Sequence, residues 1–358
     1  MNLVDFICEC RGSSMILFDN DYTEGAHPKI LERLLETNME QASGYGTDRF
    51  SESARNLIKT ACEREDIHVH LLSGGTQTNL IIIRAGLRPY QGIISADSGH
   101  ILHLEAGAIE AIGHKIIPVK NDGGKIKARD VEAVAREYEE TAAYYHNVEP
   151  GMVYLSNPTE VGTIYSKKEL QELRRVCNDY GMKLFIDGAR LGYGLVAETN
   201  DVSLSDLAEL SDVFYFGGTK IGALFGEAVV IRNKEMQYGF RTIIKQKGGL
   251  LAKGRALGIQ FETLFKDNLY LETSKFAVEQ AVRIKEALIE KNILLKYEAY
   301  TNQIFPILNH KQLNQLQENY SVLIYEKEDE DHDVIRICTS WGTRAENVDA
   351  LIKDIKKL

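Results

Sequence analysis

Val213-Phe214-Tyr215-Phe216-Gly217-Gly218-Thr219-Lys220 is the stretch on which the fold of this chain turns. A β-branched and aromatic run ends in two glycines, a threonine and one lysine, and the run reads as a buried strand. A lysine at its exposed end, beside permissive glycine backbone, is poor core material. It suits a Schiff base, because an amine in a partly dry pocket sheds its proton and becomes a nucleophile. Taken alone, such a lysine is more often a solvated strand end. Upstream, Lys183-Leu184-Phe185-Ile186-Asp187-Gly188-Ala189-Arg190 predicts another strand, ending in an aspartate and closed by an arginine. Two nearby strands, one ending in Asp and the next in Lys, are what a pyridoxal phosphate site needs. The lysine carries the aldehyde and the aspartate keeps the pyridine nitrogen protonated.

Further upstream, a strand over 67–72 runs into Ser73-Gly74-Gly75-Thr76-Gln77-Thr78-Asn79, then into the apolar 80–87. Strand, glycine turn, hydroxyl residues and helix suit a phosphate cradle at a helix N-terminus, though a bare strand-to-helix glycine turn is more often only a turn. It is neither the dinucleotide G-x-G-x-x-G nor a Walker loop with its lysine. More strands are expected over 92–96, 114–117 (stopped by Pro118), 152–155 and 227–231. Helices are expected over 28–39, 51–62, 128–145, 166–180 (Ser166 as N-cap) and 203–210. Such alternation predicts an α/β sandwich whose parallel sheet is covered on both faces. Sheets of this kind place ligands at the carboxyl ends of their strands. The glycine turn, Asp97, His100, Asn157, Asp187 and Lys220 all fall just after strands, on that edge.

After Lys245-Gln246-Lys247-Gly248-Gly249 the pattern changes. A helical region over 250–291, broken near Asp267-Asn268, precedes a strand over 304–308, a helix over 311–320, strands over 321–325 and 334–339, and a helix over 345–357. The expected division is a large domain over 1–250 and a linking helix with a small α+β domain over 251–358. The N-terminal segment is a candidate to join the small domain. The acidic run 326–333 reads as a solvated turn between antiparallel strands.

Composition narrows the function classes. The 358 residues are 44% hydrophobic and 26% charged, an ordinary globular balance. The formal net charge of -10 argues against a nucleic-acid footprint, which would be basic. The five cysteines are scattered, and Cys8 with Cys10 form C-x-C rather than a zinc pair, so no metal is expected and the thiols read as reduced. Met1 to Arg11 carries Asp5 and Glu9 and lacks the charge and apolar pattern of a signal peptide. No apolar run approaches transmembrane length, and a cytoplasmic location with no membrane partner is the expectation.

The ensemble resembles the threonine aldolase branch of the fold type I pyridoxal-phosphate enzymes, the β-eliminating lyase group. The matching pieces are Gly44-Tyr45-Gly46, Ser73 to Asn79, His100 with Glu105-Ala106-Gly107, Asp187-Gly188-Ala189-Arg190, Gly217-Gly218-Thr219-Lys220, and Arg336-Ile337-Cys338-Thr339-Ser340-Trp341. They run in family order over most of the chain. The resemblance implies that Lys220 carries pyridoxal 5'-phosphate, Asp187 faces its ring nitrogen and Arg190 its ring oxygen. It implies that Gly74, Gly75 and Thr76 hold the phosphate, that His100 stacks on the ring, and that Arg336 clamps the carboxylate of an amino acid substrate, with Asn20 and Tyr45 beside it. Two stretches depart from the family pattern. Asn20-Asp21-Tyr22-Thr23 stands where many relatives carry Ser-Asp-Thr-x-Thr. Ser156-Asn157-Pro158-Thr159-Glu160 stands where others carry Glu-Asn-Thr-His. Both lie toward the expected substrate end.

The implied reaction is retro-aldol cleavage of threonine or allo-threonine to glycine and acetaldehyde. His100 and His146 are the candidates for base or water-positioner, since imidazole titrates near working pH. The competing readings are β-elimination from another amino acid, and a non-catalytic or dinucleotide-binding α/β protein. The loop 44–48 and the basic segment 245–249 have no evident role within one subunit. Together with the resemblance they imply a homodimer or homotetramer with shared active sites.

Overall fold

The computed structural model describes residues 15–358. Cys8, Cys10 and the Met1–Arg11 stretch read for a leader lie outside the described residues. The large sheet has seven strands: β1 (His68–Leu72), β2 (Gln91–Ala96), β3 (Ile116–Val119), β4 (Glu149–Ser156), β5 (Lys183–Asp187), β6 (Val213–Gly217) and β7 (Glu227–Ile231). Their spatial order is β1-β7-β6-β5-β4-β2-β3. β6 and β7 are buried at every position, as expected of strands covered on both faces. One core on one face gathers Ile186, Phe214, Phe216 and Val230. The opposite core gathers Phe185, Tyr154, Tyr215 and Val229. The alternation of neighbouring residues between two cores is the strand period made visible.

The sheet is mainly parallel, and the exception has a simple cause. β7 runs antiparallel to both β6 and β1. The connection 218–226 is too short for the crossover of roughly a dozen residues or more that a parallel neighbour needs. Pro118, expected to stop its strand, lies inside β3. β3 is an edge strand, where a missing N–H on the outer side costs no ladder bond.

Helix ends follow local chemistry. Ser166 caps the helix Lys167–Asp179 in a reciprocal capping box with Glu169. Ser203 does the same with Asp206 for Leu204–Leu210. The helix expected over 128–145 ends at Glu140, where the Thr141 hydroxyl turns back onto the Glu137 carbonyl, and Tyr144–His146 forms a separate turn. The break near Asp267-Asn268 is real: both residues take positive φ (54° and 60°) between the helices Arg255–Phe265 and Leu269–Glu290.

The C-terminal sheet sets β8 (Ile307–Asn309), β9 (Leu323–Lys327) and β10 (His332–Cys338) in the order β8-β10-β9, all antiparallel. The acidic run joins β9 to β10. The start of the described chain belongs here. Ile16–Leu17 pairs with Tyr320–Ser321, the Cys338 N–H donates to the Phe18 carbonyl, and Phe18 packs in the core with Ile284, Ile337 and Leu351. From that anchor, residues 19–22 cross to the edge of the large sheet.

Candidate active site

Register builds the site. Ser156 at the end of β4 pairs with Asp187 at the end of β5, and Gly217 at the end of β6 pairs with Glu227 at the start of β7. Glu227 also pairs with Leu72 at the end of β1, so five strands deliver their last or first residue to one edge. Glycine is required where the ends of β5 and β6 meet. A Cβ on Gly188 would stand 1.9 Å from the Tyr215 carbonyl oxygen, and one on Gly217 2.2 Å from that of Ala189.

A cleft of about 370 Å³ opens there, with Gly74, His100, Asp187, Arg190 and Lys220 in its lining. Asp187 is 5% exposed and is held by four donors. Tyr154 Oη (2.7 Å) and Asn79 Nδ2 (3.1 Å) donate to Oδ2, and Tyr215 Oη (2.5 Å) and the Ala189 N–H (3.0 Å) to Oδ1. Four fixed donors hold this carboxylate rigidly at the floor. The Lys220 amine is pushed down from its usual range, by burial first and then by the Arg190 charge, against the opposing pull of Asp21, Asp187 and Glu227. It is thereby biased toward the neutral nucleophile.

The turn after β1 runs directly into a helix. Gly74 caps the helix Gly75–Gly86 with no side-chain hydrogen bond, and the first intrahelical bond is Thr78 N–H to the Gly74 carbonyl. The amides ahead of it have no carbonyl of their own turn to meet. Among the described residues nothing lies within 4 Å of where a Gly74 Cβ would stand. An anion fits that space, on the positive end of the helix.

His100 opens a short helix after β2. Its Nδ1 lies 2.8 Å from Glu105 Oε1, which also accepts from Asn79 Nδ2 at 2.7 Å. Asn79 thus bridges Glu105 to Asp187. The carboxylate requires the proton on His100 Nδ1 and leaves Nε2 as the free acceptor. The His100 backbone N–H donates to Glu160 Oε1 (2.9 Å), which also accepts from Ser156 Oγ (2.7 Å). Burial pushes the Glu160 carboxyl up.

Arg190 meets a partner that sequence reasoning missed. Its Nε and Nη2 donate to Asp21 at 2.7 and 2.9 Å, a two-pronged pair closed by Asn302 Nδ2 at 2.9 Å. Burial raises the Asp21 carboxyl, but the charges of Arg190 and Lys220 and the Arg190 hydrogen bond outweigh it and hold it down at about 2.

The cleft gathers His100, Asp187, Lys220, Arg190, Gly74, Gly75 and Thr76. It does not gather His146, which stands exposed against Tyr145 with ring centroids 4.5 Å apart. His146 precedes β4 and so lies at the amino ends of the strands, the opposite edge of the sheet. Arg336 sits on β10, its Nη2 donating to the Asp19 carbonyl at 2.9 Å and its buried Nε without a partner among the described residues. Asn20 accepts the Tyr22 N–H, and Tyr22 rather than Asn20 lines the cleft. Tyr45 lies in a separate small pocket with Arg55 and Arg241. Tyr154 and Glu227 joined the site unforeseen, and Asp21, Asn79, Glu160 and Tyr215, quoted only within longer stretches, had been given no role of their own. Strand alternation was the available signal for Tyr154 and Tyr215, which share a face with Asp187.

These residues fit pyridoxal 5'-phosphate. An anion cradle without a Cβ, a floor carboxylate, a buried amine and an imidazole wall occupy one cleft, and the cofactor has a phosphate, a basic ring nitrogen and an aldehyde. The beta-eliminating lyase family model matches residues 19–310. A low specificity L-threonine aldolase of Pseudomonas aeruginosa is 27% identical over 350 residues, covering 95% of this chain and 96% of that protein. The solved structure of Leishmania major threonine aldolase superposes with a TM-score of 0.93 at 41% identity, covering 96% of this chain and 99% of that one. A Thermus thermophilus aspartate aminotransferase variant, 11% identical with a TM-score of 0.70 over 97% of this chain and 92% of its own, shares the fold alone. The family match runs from the strap that holds Asp21 through Asp187 to Lys220 and beyond, and on that span the chain belongs to the beta-eliminating lyase family.

Proposed function

We propose that this chain cleaves the Cα–Cβ bond of threonine or allo-threonine to give glycine and acetaldehyde, as a pyridoxal-phosphate-dependent aldolase. The observation that carries the reading is the chain of contacts from Asp187 through Asn79 and Glu105 to His100, with the buried Lys220 amine in the same cleft. When bound, the cofactor supplies the electron sink for the pair left at Cα as the bond breaks. Asp187, an acceptor fixed by four donors, holds a proton on the ring nitrogen and so keeps that sink electron-poor. Lys220, biased toward its neutral form, is the amine that would hold the cofactor's aldehyde. His100 stands with Nδ1 turned to Glu105, so Nε2 is the atom free to take the β-hydroxyl proton.

Arg336 is the carboxylate clamp in this reading. Its unpartnered Nε is a buried donor that a substrate carboxylate satisfies. Arg190, charge-matched by Asp21, stays cationic toward the ring oxygen. The Asn20 and Tyr22 strap closes the substrate end. The chain acts as a homo-oligomer with Tyr45 and the 245–249 segment reaching a neighbour's site. Among the described residues no helix is long and apolar enough to cross a membrane, and the cytoplasm is the compartment we assign.

The test mixes cofactor-loaded protein with the four isomers of threonine and allo-threonine and measures aldehyde and keto acid together. Glycine and acetaldehyde in equal amounts support the reading. A keto acid with ammonia means β-elimination, and neither product from any isomer removes the aldolase assignment.

A further inference from the structure

Glu227 is a carboxylate placed where an anion is to bind. It opens β7, with Gly217 of β6 on one side and Leu72 of β1 on the other. Leu72 directly precedes Ser73-Gly74-Gly75, so Glu227 stands beside the strand that feeds the anion cradle. Alternation along β7 turns it to the face of Val229 and Ile231, which share a core with Leu72 and Tyr215. That is the face over which the helix Gly75–Gly86 lies. The side chain lines the same cleft as Gly74, Gly75, Thr76 and Lys220, and the residue is 4% exposed.

Its own hydrogen bonds are few and uncharged. Thr219 Oγ1 donates to Oε1 at 3.0 Å, and the Gly218 N–H reaches Oε2 at 3.3 Å. Among the described residues no arginine or lysine forms an ion pair with it. The charged and titratable groups around it are Lys220 and Asp187 in the cleft, Tyr215 on β6, and Tyr270 on the helix behind. On β1, His70 is kept neutral by burial, its pKa pushed down to about 3. The helix Arg255–Phe265 presents Leu257 and Phe261 to the turn at Gly226. The Thr219 and Gly218 hydrogen bonds and the Lys220 charge favour the ionised carboxylate, but burial outweighs them, and the Lys220 amine is itself pushed toward neutrality.

A phosphate seated in the cradle beside an ionised Glu227 would set it against a carboxylate that is itself buried from water. Burial already pushes the Glu227 carboxyl up to about 8, and a neighbouring anion acts in the same direction. We propose that Glu227 meets the cofactor phosphate as the neutral acid and donates its proton in a hydrogen bond to a phosphate oxygen, so that cofactor affinity depends on that proton. The proposal rests on the pyridoxal phosphate reading above.

The test uses pyridoxine 5'-phosphate, which has the ring and the phosphate but no aldehyde, so lysine chemistry stays out of the measurement. Binding is followed by calorimetry at about pH 8.5 in two buffers of different ionisation heat, giving the protons taken up per ligand bound. The ligand's phosphate, with a second pKa of about 6, arrives doubly ionised and brings no proton. The wild-type chain takes up most of one proton, and its Kd rises about tenfold per pH unit above the free acid's pKa. Glu227→Gln, whose amide donates at every pH, keeps any proton taken up at the ring nitrogen or at Lys220 but lacks the Glu227 proton and that slope. Binding by the wild-type chain with no proton uptake overturns the proposal, as does equal uptake by Glu227→Gln. No binding at all by the wild-type chain overturns the functional reading along with it. Should Glu227→Gln fail to fold, the infrared spectrum of the wild-type complex decides: a protonated carboxylic-acid band in the complex supports the proposal, and its absence overturns it.

Discussion

Asp21→Asn keeps the shape of the strap and removes its charge, and its cost can be worked from the structure. The carboxyl has no exposed surface, and its pKa falls from 3.8 to about 2 in the folded chain. A shift of nearly two units corresponds to about 2–2.5 kcal/mol of stabilisation. Substitution also leaves Arg190 a buried cation without its counter-ion, and breaking a buried pair costs roughly 3–5 kcal/mol. With an unfolding entropy of roughly 2 cal/mol/K per residue, a chain of this length loses about 4–7 °C of Tm. The folded pKa lies below the unfolded one, so the stabilisation is fully present above about pH 4 and is lost as pH falls through about 2. Thermal unfolding of both proteins across pH should show the widest gap near neutrality, closing toward pH 2. A gap that stays constant over that range, or one under about 1 °C at neutrality, refutes the electrostatic account of the strap.

Lys220→Ala should stay folded and lose roughly a thousandfold or more in turnover, and borohydride should fix the cofactor on Lys220 in the wild-type chain; label on another lysine contradicts the assignment. Asp187→Asn should still bind cofactor yet lose about a hundredfold or more in kcat, because an amide cannot hold the ring nitrogen protonated. His146→Ala should change kcat/KM by no more than about twofold, the scale of a surface substitution; a large loss would bring that residue into a site by a route one subunit does not contain. Mixed Lys220→Ala and Tyr45→Ala subunits should regain activity under exchange conditions if sites are shared, and proven exchange without recovery means that each site is self-contained.

The parts of the site that were legible are those where one residue type at a strand end has few structural uses. A lysine after two glycines, an aspartate closing a β-branched run, and a glycine turn into a helix each carry their chemistry in the local sequence. The hidden parts depend on which strands become neighbours. Tyr154 and Tyr215 read as ordinary core aromatics until register sets both hydroxyls on Asp187. Asp21 lies 169 positions from Arg190 and meets it only because Phe18 is anchored in the C-terminal core. Glu227 belongs to a strand whose antiparallel direction follows from a short loop. That direction puts its first residue, rather than its last, on the ligand edge. His146 stands outside this subunit's cleft for the same reason in reverse, since a residue before a parallel strand lies at the opposite end of it.

The loop 44–48 and the segment 245–249, without a visible role in the sequence, turn out to hold one another. Lys245 Nζ lies 4.8 Å from the centre of the Tyr45 ring, and Arg241 Nη2 donates to the Tyr45 carbonyl at 2.8 Å. Tyr45 is in the left-handed region at φ 58°, a conformation that costs a non-glycine residue of order 1–3 kcal/mol. A cation over the ring face, itself worth about 0.5–1 kcal/mol at an exposed site, offsets only part of that. The backbone is therefore held by its neighbours. The Tyr45 N–H donates to the Ala252 carbonyl, and any Cβ on Gly254 would clash with the Gly46 backbone at 2.5 Å. A strained tyrosine fixed from three sides, 44% exposed as a residue and away from its own cleft, is arranged to present that ring outward. This is the geometric ground for testing Tyr45 in a mixed oligomer rather than in its own subunit's site.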